Sequence, residues 1–438
     1  MVTVSLPTAS SSLAISPALL LALTLALLGW PGPSAADDFQ GATHLMPFDE
    51  DTLKYSKTAA QGSIARLQQR LDRGELKLEF EEGQGYLKSI LRALDVPRAS
   101  QVLVFSKTSL QRERISPQNP RALYFNDDVY VGFIPGAPLL EFSEVDPKLG
   151  GVFYTLEQAR AKQPRFVRTD QCLECHASAK SMGVPGHLLR SFAVDEQGVV
   201  DLVTGVSLVN HRTPLAERWG GWYVTGEPGG PAHRGNLFGK AAFERQARDP
   251  AHRGTLRELS DLFNPAPYPE DSSDIVALLV LEHQTHMHNF ITRLHYESTL
   301  ALQQYGHVNY LRNIIDGFLK YLLFSEEAAL AQPIRGGDAY ARAFTAQGPR
   351  DARGRSLRDL DLQDRLFRHP CSFLIYSEAF DRLPDQVREA IYQRLHDILT
   401  GQDTRPQWEH LSRADRRAIR EILAATKPGL PAYWKQAK

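Results

Sequence analysis

Cysteine is nearly absent: three in 438 residues. A chain with so few thiols is held by hydrophobic cores and not by a disulfide framework. Methionine is almost as scarce, at four residues. There is no excess of either charge, because 50 Lys and Arg face 51 Asp and Glu for a net charge of −1. That balance gives no reason to expect nucleic acid or an anionic membrane surface as a partner. Beyond the N-terminus no run is long and apolar enough to span a bilayer, and no internal repeat or low-complexity tract is present. The remaining composition, 42% hydrophobic and 9% aromatic, is that of ordinary globular protein.

Two of the three cysteines stand together, in Cys172-Leu173-Glu174-Cys175-His176. A CxxCH box is the attachment signature of c-type haem. Two thiols three residues apart reach the two vinyl groups of one porphyrin, and the adjacent imidazole reaches the iron from the same turn. A structural zinc site needs four closed ligands, and Cys371 lies far downstream with no partner pair. A thioredoxin-like CxxC belongs at a helix start in a βαβ unit, and no crossover follows here. A plain disulfide leaves His176 unexplained. The box therefore predicts one covalent haem c, on Cys172 and Cys175, with His176 as the proximal iron ligand.

The N-terminus agrees with this. Leu13 to Leu28 is apolar apart from Ser16, Pro17 and Thr24, and small residues at Ser34 and Ala36 precede Asp37. The pattern predicts a signal peptide over 1–36, cut before Asp37, although its start has no Lys or Arg. The competing membrane anchor is short against the roughly 20 apolar residues that a span needs. Haem attachment takes place outside the bacterial cytoplasmic membrane, so export to the periplasm and the box are consistent. No integral membrane segment is expected after leader removal.

Periodicity predicts an α+β protein with three parts. Residues 37–165 form a mixed domain. Helical spacing runs over Thr58–Leu71 and Tyr86–Leu94, followed by strands at Gln101–Ser106, Ala122–Phe125, Val129–Ile134, Leu139–Val145 and Gly151–Thr155. Asn126-Asp127-Asp128 is a hairpin turn. Residues 166–240, rich in Gly and Pro, form a loop-dominated segment suited to wrapping a cofactor. Residues 241–438 are mainly helical, with helices over Asp274 to about Gly306, Asn313–Leu323, from Pro384 onward, and Arg413–Ala425 with Ser412 as N-cap. Cys371 reads as a buried free thiol.

What fills the sixth iron position decides the chemistry. His233, after Gly229-Gly230-Pro231, is the first candidate, followed by His187, His211 and Met287. Arg218-Trp219-Gly220-Gly221-Trp222-Tyr223 reads either as a wall for a porphyrin or as a core strand. A second concentration of ligand types, Glu282-His283-Gln284-Thr285-His286-Met287-His288, lies on the long helix. It could hold a second metal, relay protons, or form a polar helix face with one buried His. It lacks the His-Glu-x-x-His spacing of zinc proteases and the paired Glu-x-x-His of di-iron bundles.

The chain resembles a group of exported bacterial cytochrome c domain-containing proteins. The similarity runs through the box, Arg121–Gly132, Val184-Pro185-Gly186-His187, Arg218 to Gly226, Glu282-His283-Gln284 and Met287-His288-Asn289. It covers most of the chain after residue 36 and implies haem binding and electron transfer, with no particular substrate. Where that group often has Met after the histidine matching His233, this chain has Arg234, which removes a thioether from that point. The expectation is an exported monohaem c-type cytochrome in single-electron transfer with a redox partner protein. The alternative is a haem-dependent oxidoreductase, peroxidase-like, or a haem sensor, since a carrier alone needs far fewer residues.

Overall fold

Alternating apolar residues from Val102 to Glu157 build an antiparallel meander at the centre of the protein. The structure is a computed structural model that describes residues 44–230, 232–250, 252 and 258–435. The expected leader at 1–36 lies outside the described residues. Two helices lead in, α1 (Ser63–Asp72) and α2 (Leu87–Ala93). Strands β1 (Val102–Val104), β2 (Arg121–Phe125), β3 (Val129–Phe133), β4 (Leu139–Asp146), β5 (Gly150–Glu157) and β6 (Val167–Arg168) follow in sequence. Each pairs antiparallel with the next, and Asn126 closes the β2–β3 turn by accepting from the Asp128 and Val129 amides through Oδ1.

The segment expected to be mostly loop holds more regular structure. After β6 comes α3 (Leu173–His176), a single turn, and then a hairpin of β7 (Arg190–Val194) and β8 (Val200–Leu208). Strand β9 (Trp222–Tyr223) pairs with β1, giving a seven-stranded sheet in the order β6-β5-β4-β3-β2-β1-β9. The Trp222-Tyr223 end of the aromatic motif is thus strand, as one of its two readings held. Residues expected in separate parts of the chain therefore share one sheet.

The rest is helical: α4 (Lys240–Arg248), α5 (Ile275–Tyr305), α6 (Arg312–Leu322), α7 (Asp338–Ala346), α8 (Glu378–Asp381), α9 (Asp385–Leu399) and α10 (Arg413–Thr426). The fold is mixed α+β with a helical C-terminal half, as the periodicity indicates. Helix α5 starts where Asp274 accepts the Ala277 amide at 2.9 Å and stops at Gly306, whose φ of 72° suits a residue without Cβ. Ser412 and Asp415 form a reciprocal capping box at α10. Pro384 sits one residue before α9. Among the described residues no helix is long and apolar enough to cross a membrane.

The sheet is covered on both faces. Strand side chains alternate, so Val129, Val131, Leu140, Phe142, Val152 and Tyr154 join Ile64, Leu67, Leu87 and Ile90 in one core. Their neighbours Tyr130, Ser143 and Phe153 face the other way. The register aligns these three in one row across β3, β4 and β5, since Tyr130 pairs with Ser143 and Ser143 with Phe153. Helix α5 packs toward that row: Gln284 donates to the Tyr130 hydroxyl at 2.9 Å and His288 to the Asp127 carbonyl at 2.8 Å. Every residue of α5 from Ile275 to Leu294 is buried, so the expected polar helix face is not on the surface.

Candidate functional site

The CxxCH box folds as one helical turn. Cys172 is the N-cap of α3, and its carbonyl accepts the amides of Cys175 at 3.2 Å and His176 at 2.9 Å. Residues at i, i+3 and i+4 share a helix face, so both thiols and the imidazole project from one side. Cys172 and Cys175 are free thiols, the first half-buried and the second exposed. Burial, reinforced by the Glu141 carboxylate, pushes the Cys172 thiol up to about 11.

His176 is held from below. Its Nδ1 lies 2.9 Å from the Gly186 carbonyl. A carbonyl only accepts, so Nδ1 carries the proton and Nε2 keeps its lone pair. The Gly186 amide returns a bond to the His176 carbonyl at 2.8 Å, and Ser181 Oγ adds a second at 3.1 Å. The Phe153 ring packs on the imidazole with centroids 4.8 Å apart. Burial pulls the His176 pKa down to about 4, and the Gly186 carbonyl opposes that shift. At neutral pH the ring is uncharged, the form that ligates a metal.

This arrangement fits a c-type haem. Free thiols stand at the attachment spacing, and the proximal nitrogen is unprotonated while the other ring nitrogen is fixed by a backbone carbonyl, as metal-bound histidines require. Among the described residues no group of three or more His, Cys, Asp or Glu gathers to hold a metal ion. A haem iron does not need one, because the porphyrin supplies four ligands and the protein only the axial pair.

The four distal candidates have separate surroundings. His187 lies over the Tyr130–Ser143–Phe153 row, its ring 4.5 Å from Tyr130 and 6.1 Å from Phe153, with Nε2 3.0 Å from Ser143 Oγ. It shares the Phe153 neighbour with His176. His211 is buried against α5, with Nδ1 2.9 Å from His283 Nδ1. His233 packs edge-on against Trp219 at 5.0 Å and accepts the Gly235 amide at 3.0 Å. Met287 is fully buried within α5.

The Glu282–His288 run also disperses. Glu282 pairs with Arg218 and accepts the Trp219 indole N–H at 3.3 Å. His283 meets His211 and Ser372, His286 packs on Tyr321 and Phe290, and His288 reaches Asp127. Cys371 is a buried free thiol, as expected, and burial pushes its pKa up.

Sequence reasoning missed Gly186, Phe153, Ser143 and Asn289 as neighbours of this site. The Val184-Pro185-Gly186-His187 and Met287-His288-Asn289 motifs were the available signal for two of them. Asn289 grips His187, accepting its amide at 2.8 Å and donating to its carbonyl at 2.8 Å. No protein-family model, curated protein or solved structure matches the chain.

Proposed function

We propose that this protein is an exported, periplasmic monohaem c-type cytochrome that passes single electrons to or from a redox partner protein. One observation carries the reading: Cys172, Cys175 and His176 share one helical turn, and the Nδ1–H of His176 is fixed on the Gly186 carbonyl. Cys172 and Cys175 would hold the haem, each thiol adding its S–H across one vinyl group so that no atom leaves. His176 Nε2 would ligate the iron. Bound there, haem c supplies a reversible one-electron iron couple.

The chain's own residues suit that task. Burial keeps the His176 imidazole neutral and keeps Cys172 protonated at neutral pH, and the Phe153 ring restrains the imidazole plane. Glu174, Cys175, Ala179 and Lys180 are exposed, so a partner can approach the box from solvent.

The second reading is a haem-dependent oxidoreductase of the peroxidase-like kind, or a haem sensor, with a vacant or displaceable sixth position. It draws support from His233, whose Nδ1 accepts the Gly235 amide, so that in the neutral ring Nε2 carries the proton and has no lone pair for iron. The deciding experiment is maturation in a host with haem-attachment machinery, followed by denaturing electrophoresis and spectra of both redox states. Haem retained through denaturation, and lost or reduced to one thioether in Cys172→Ala and Cys175→Ala, supports the proposal. Complete loss of haem from the wild type refutes it. A low-spin spectrum favours the carrier, and a high-spin spectrum the second reading.

A further inference from the structure

The long helix reaches the box through one side chain. Asn289, 1% exposed, bonds both the amide and the carbonyl of His187, closing a two-point clamp on the residue next to Gly186. Gly186 is the residue whose carbonyl takes the His176 Nδ1 proton. Its contact with Asn289 is tight, because a Cβ on Gly186 would collide with Asn289 Oδ1. The rest of the loop is tied down beside it. Arg293, one turn further along α5, donates to the Met182 carbonyl at 2.9 Å and the His44 carbonyl at 2.8 Å. The Gly151 amide donates to the Pro185 carbonyl at 2.8 Å. The peptide that receives the imidazole proton is therefore fixed from a helix more than a hundred residues away in sequence.

We propose that Asn289 is a positioning residue for the proximal ligand, setting the redox potential through Gly186 and His176. This rests on the haem reading above. A hydrogen bond to the distant ring nitrogen raises the basicity of the ligating one. A more basic imidazole favours the ferric over the ferrous ion, which holds the potential down. Loosening the Gly186 carbonyl weakens that bond and lets the potential rise.

The test is the midpoint potential of the purified haem-bearing protein, with thermal unfolding measured in parallel. Outer-shell partners of a metal ligand alter affinity by about 10-fold or more. Asn289 acts one contact beyond such a partner, so Asn289→Ala is expected to raise the potential by up to about 59 mV, the equivalent of a tenfold shift in ferric-to-ferrous preference for a one-electron couple. Gly186→Ala is the second variant, since its methyl group would collide with Asn289 Oδ1 and force the Asn289 side chain off His187 while α5 keeps its sequence. It should shift the potential in the same direction. Tyr296→Phe is the control: it removes a 2.8 Å bond from the same helix to the Leu149 carbonyl, and should lower thermal stability while the potential stays at the wild-type value. A potential that rises in both Asn289→Ala and Gly186→Ala but not in Tyr296→Phe supports the proposal, and an Asn289→Ala protein that keeps the wild-type potential overturns it. Haem-bearing variants that all share the wild-type potential overturn the role of Asn289 and leave the haem reading standing. A wild type that takes up no covalent haem overturns both.

Discussion

Glu282→Leu should cost this protein a large part of its stability. Glu282 is completely buried two turns into α5, where its carboxylate pairs with Arg218, itself 2% exposed. Arg218 also donates to the Thr213 carbonyl at 2.6 Å and the His211 carbonyl at 3.0 Å. Replacing the carboxylate leaves the guanidinium with two neutral acceptors and no counter-charge, and leaves the Trp219 indole N–H without its acceptor. Breaking a buried pair from one side costs about 3–5 kcal/mol. An orphaned buried N–H adds about 1–3 kcal/mol, in part the same loss counted from the other partner. A fall of about 4 kcal/mol is expected, against a total that for most folded proteins is about 5–15 kcal/mol. Urea unfolding followed by tryptophan fluorescence measures it, and Arg218→Met completes the cycle. The double replacement should recover most of the loss, because two apolar residues in place of a buried ion pair are often neutral or stabilising. A loss below about 1 kcal/mol in Glu282→Leu, within reach of an ordinary substitution, would refute the reasoning. So would a double variant no more stable than the single one.

Three further outcomes are expected. If His233 is the sixth ligand, His233→Ala turns a low-spin spectrum high-spin and admits carbon monoxide rapidly, while His187→Ala, His211→Ala and Met287→Ala leave it unchanged. A spectrum altered instead by His187→Ala moves the ligand to the residue that shares Phe153 with His176. N-terminal sequencing of exported protein should begin at Asp37, and a chain that still starts at Met1 supports the membrane anchor. Burial holds His288 down at about 4, against an ordinary histidine value of 6.5, so the unfolded chain takes the proton first. The stability this neutral ring contributes is complete above about pH 6.5 and is lost as pH falls toward 4. His288→Gln keeps a donor for the Asp127 carbonyl and has nothing to protonate, so the wild type should lose stability relative to it by about 1.4 kcal/mol per pH unit in that window. A difference that stays flat from pH 6 to 4.5 counts against a buried neutral His288.

The central strands were legible because their apolar residues alternate, and the long helix because Asp274 and Gly306 mark its ends. The β7–β8 hairpin was not: Arg190–Val194 and Val200–Leu208 lie in a stretch whose many Gly and Pro residues read as loop. Helix α7 was also missed. It is nine residues long and buries only Tyr340 and Phe344, one turn apart, too little for a periodic signal. The run from Glu282 to His288 misled for a different reason. Apart from Met287 its side chains are polar, yet each of these meets a polar or aromatic partner in the interior, so such contacts offset the cost of burial.

The sequence by itself determined the chemistry of the box. Cys172, Cys175 and His176 lie within a single turn, where covalent connection and helix geometry alone put three side chains on one face. It also determined which strand residues face which side, since that follows from alternation. Only the tertiary structure decided which carbonyl takes the His176 proton, that Phe153 walls the ring, and that Asn289 on a distant helix holds the loop. Those contacts join residues far apart in the chain, and strand register and helix docking, not local propensity, bring them within bonding distance. The scattering of His187, His211 and His233 has the same origin: a shared Gly- and Pro-rich stretch places them near one another in sequence, and the sheet and α5 then draw them to different partners, while Met287 is buried within α5 itself.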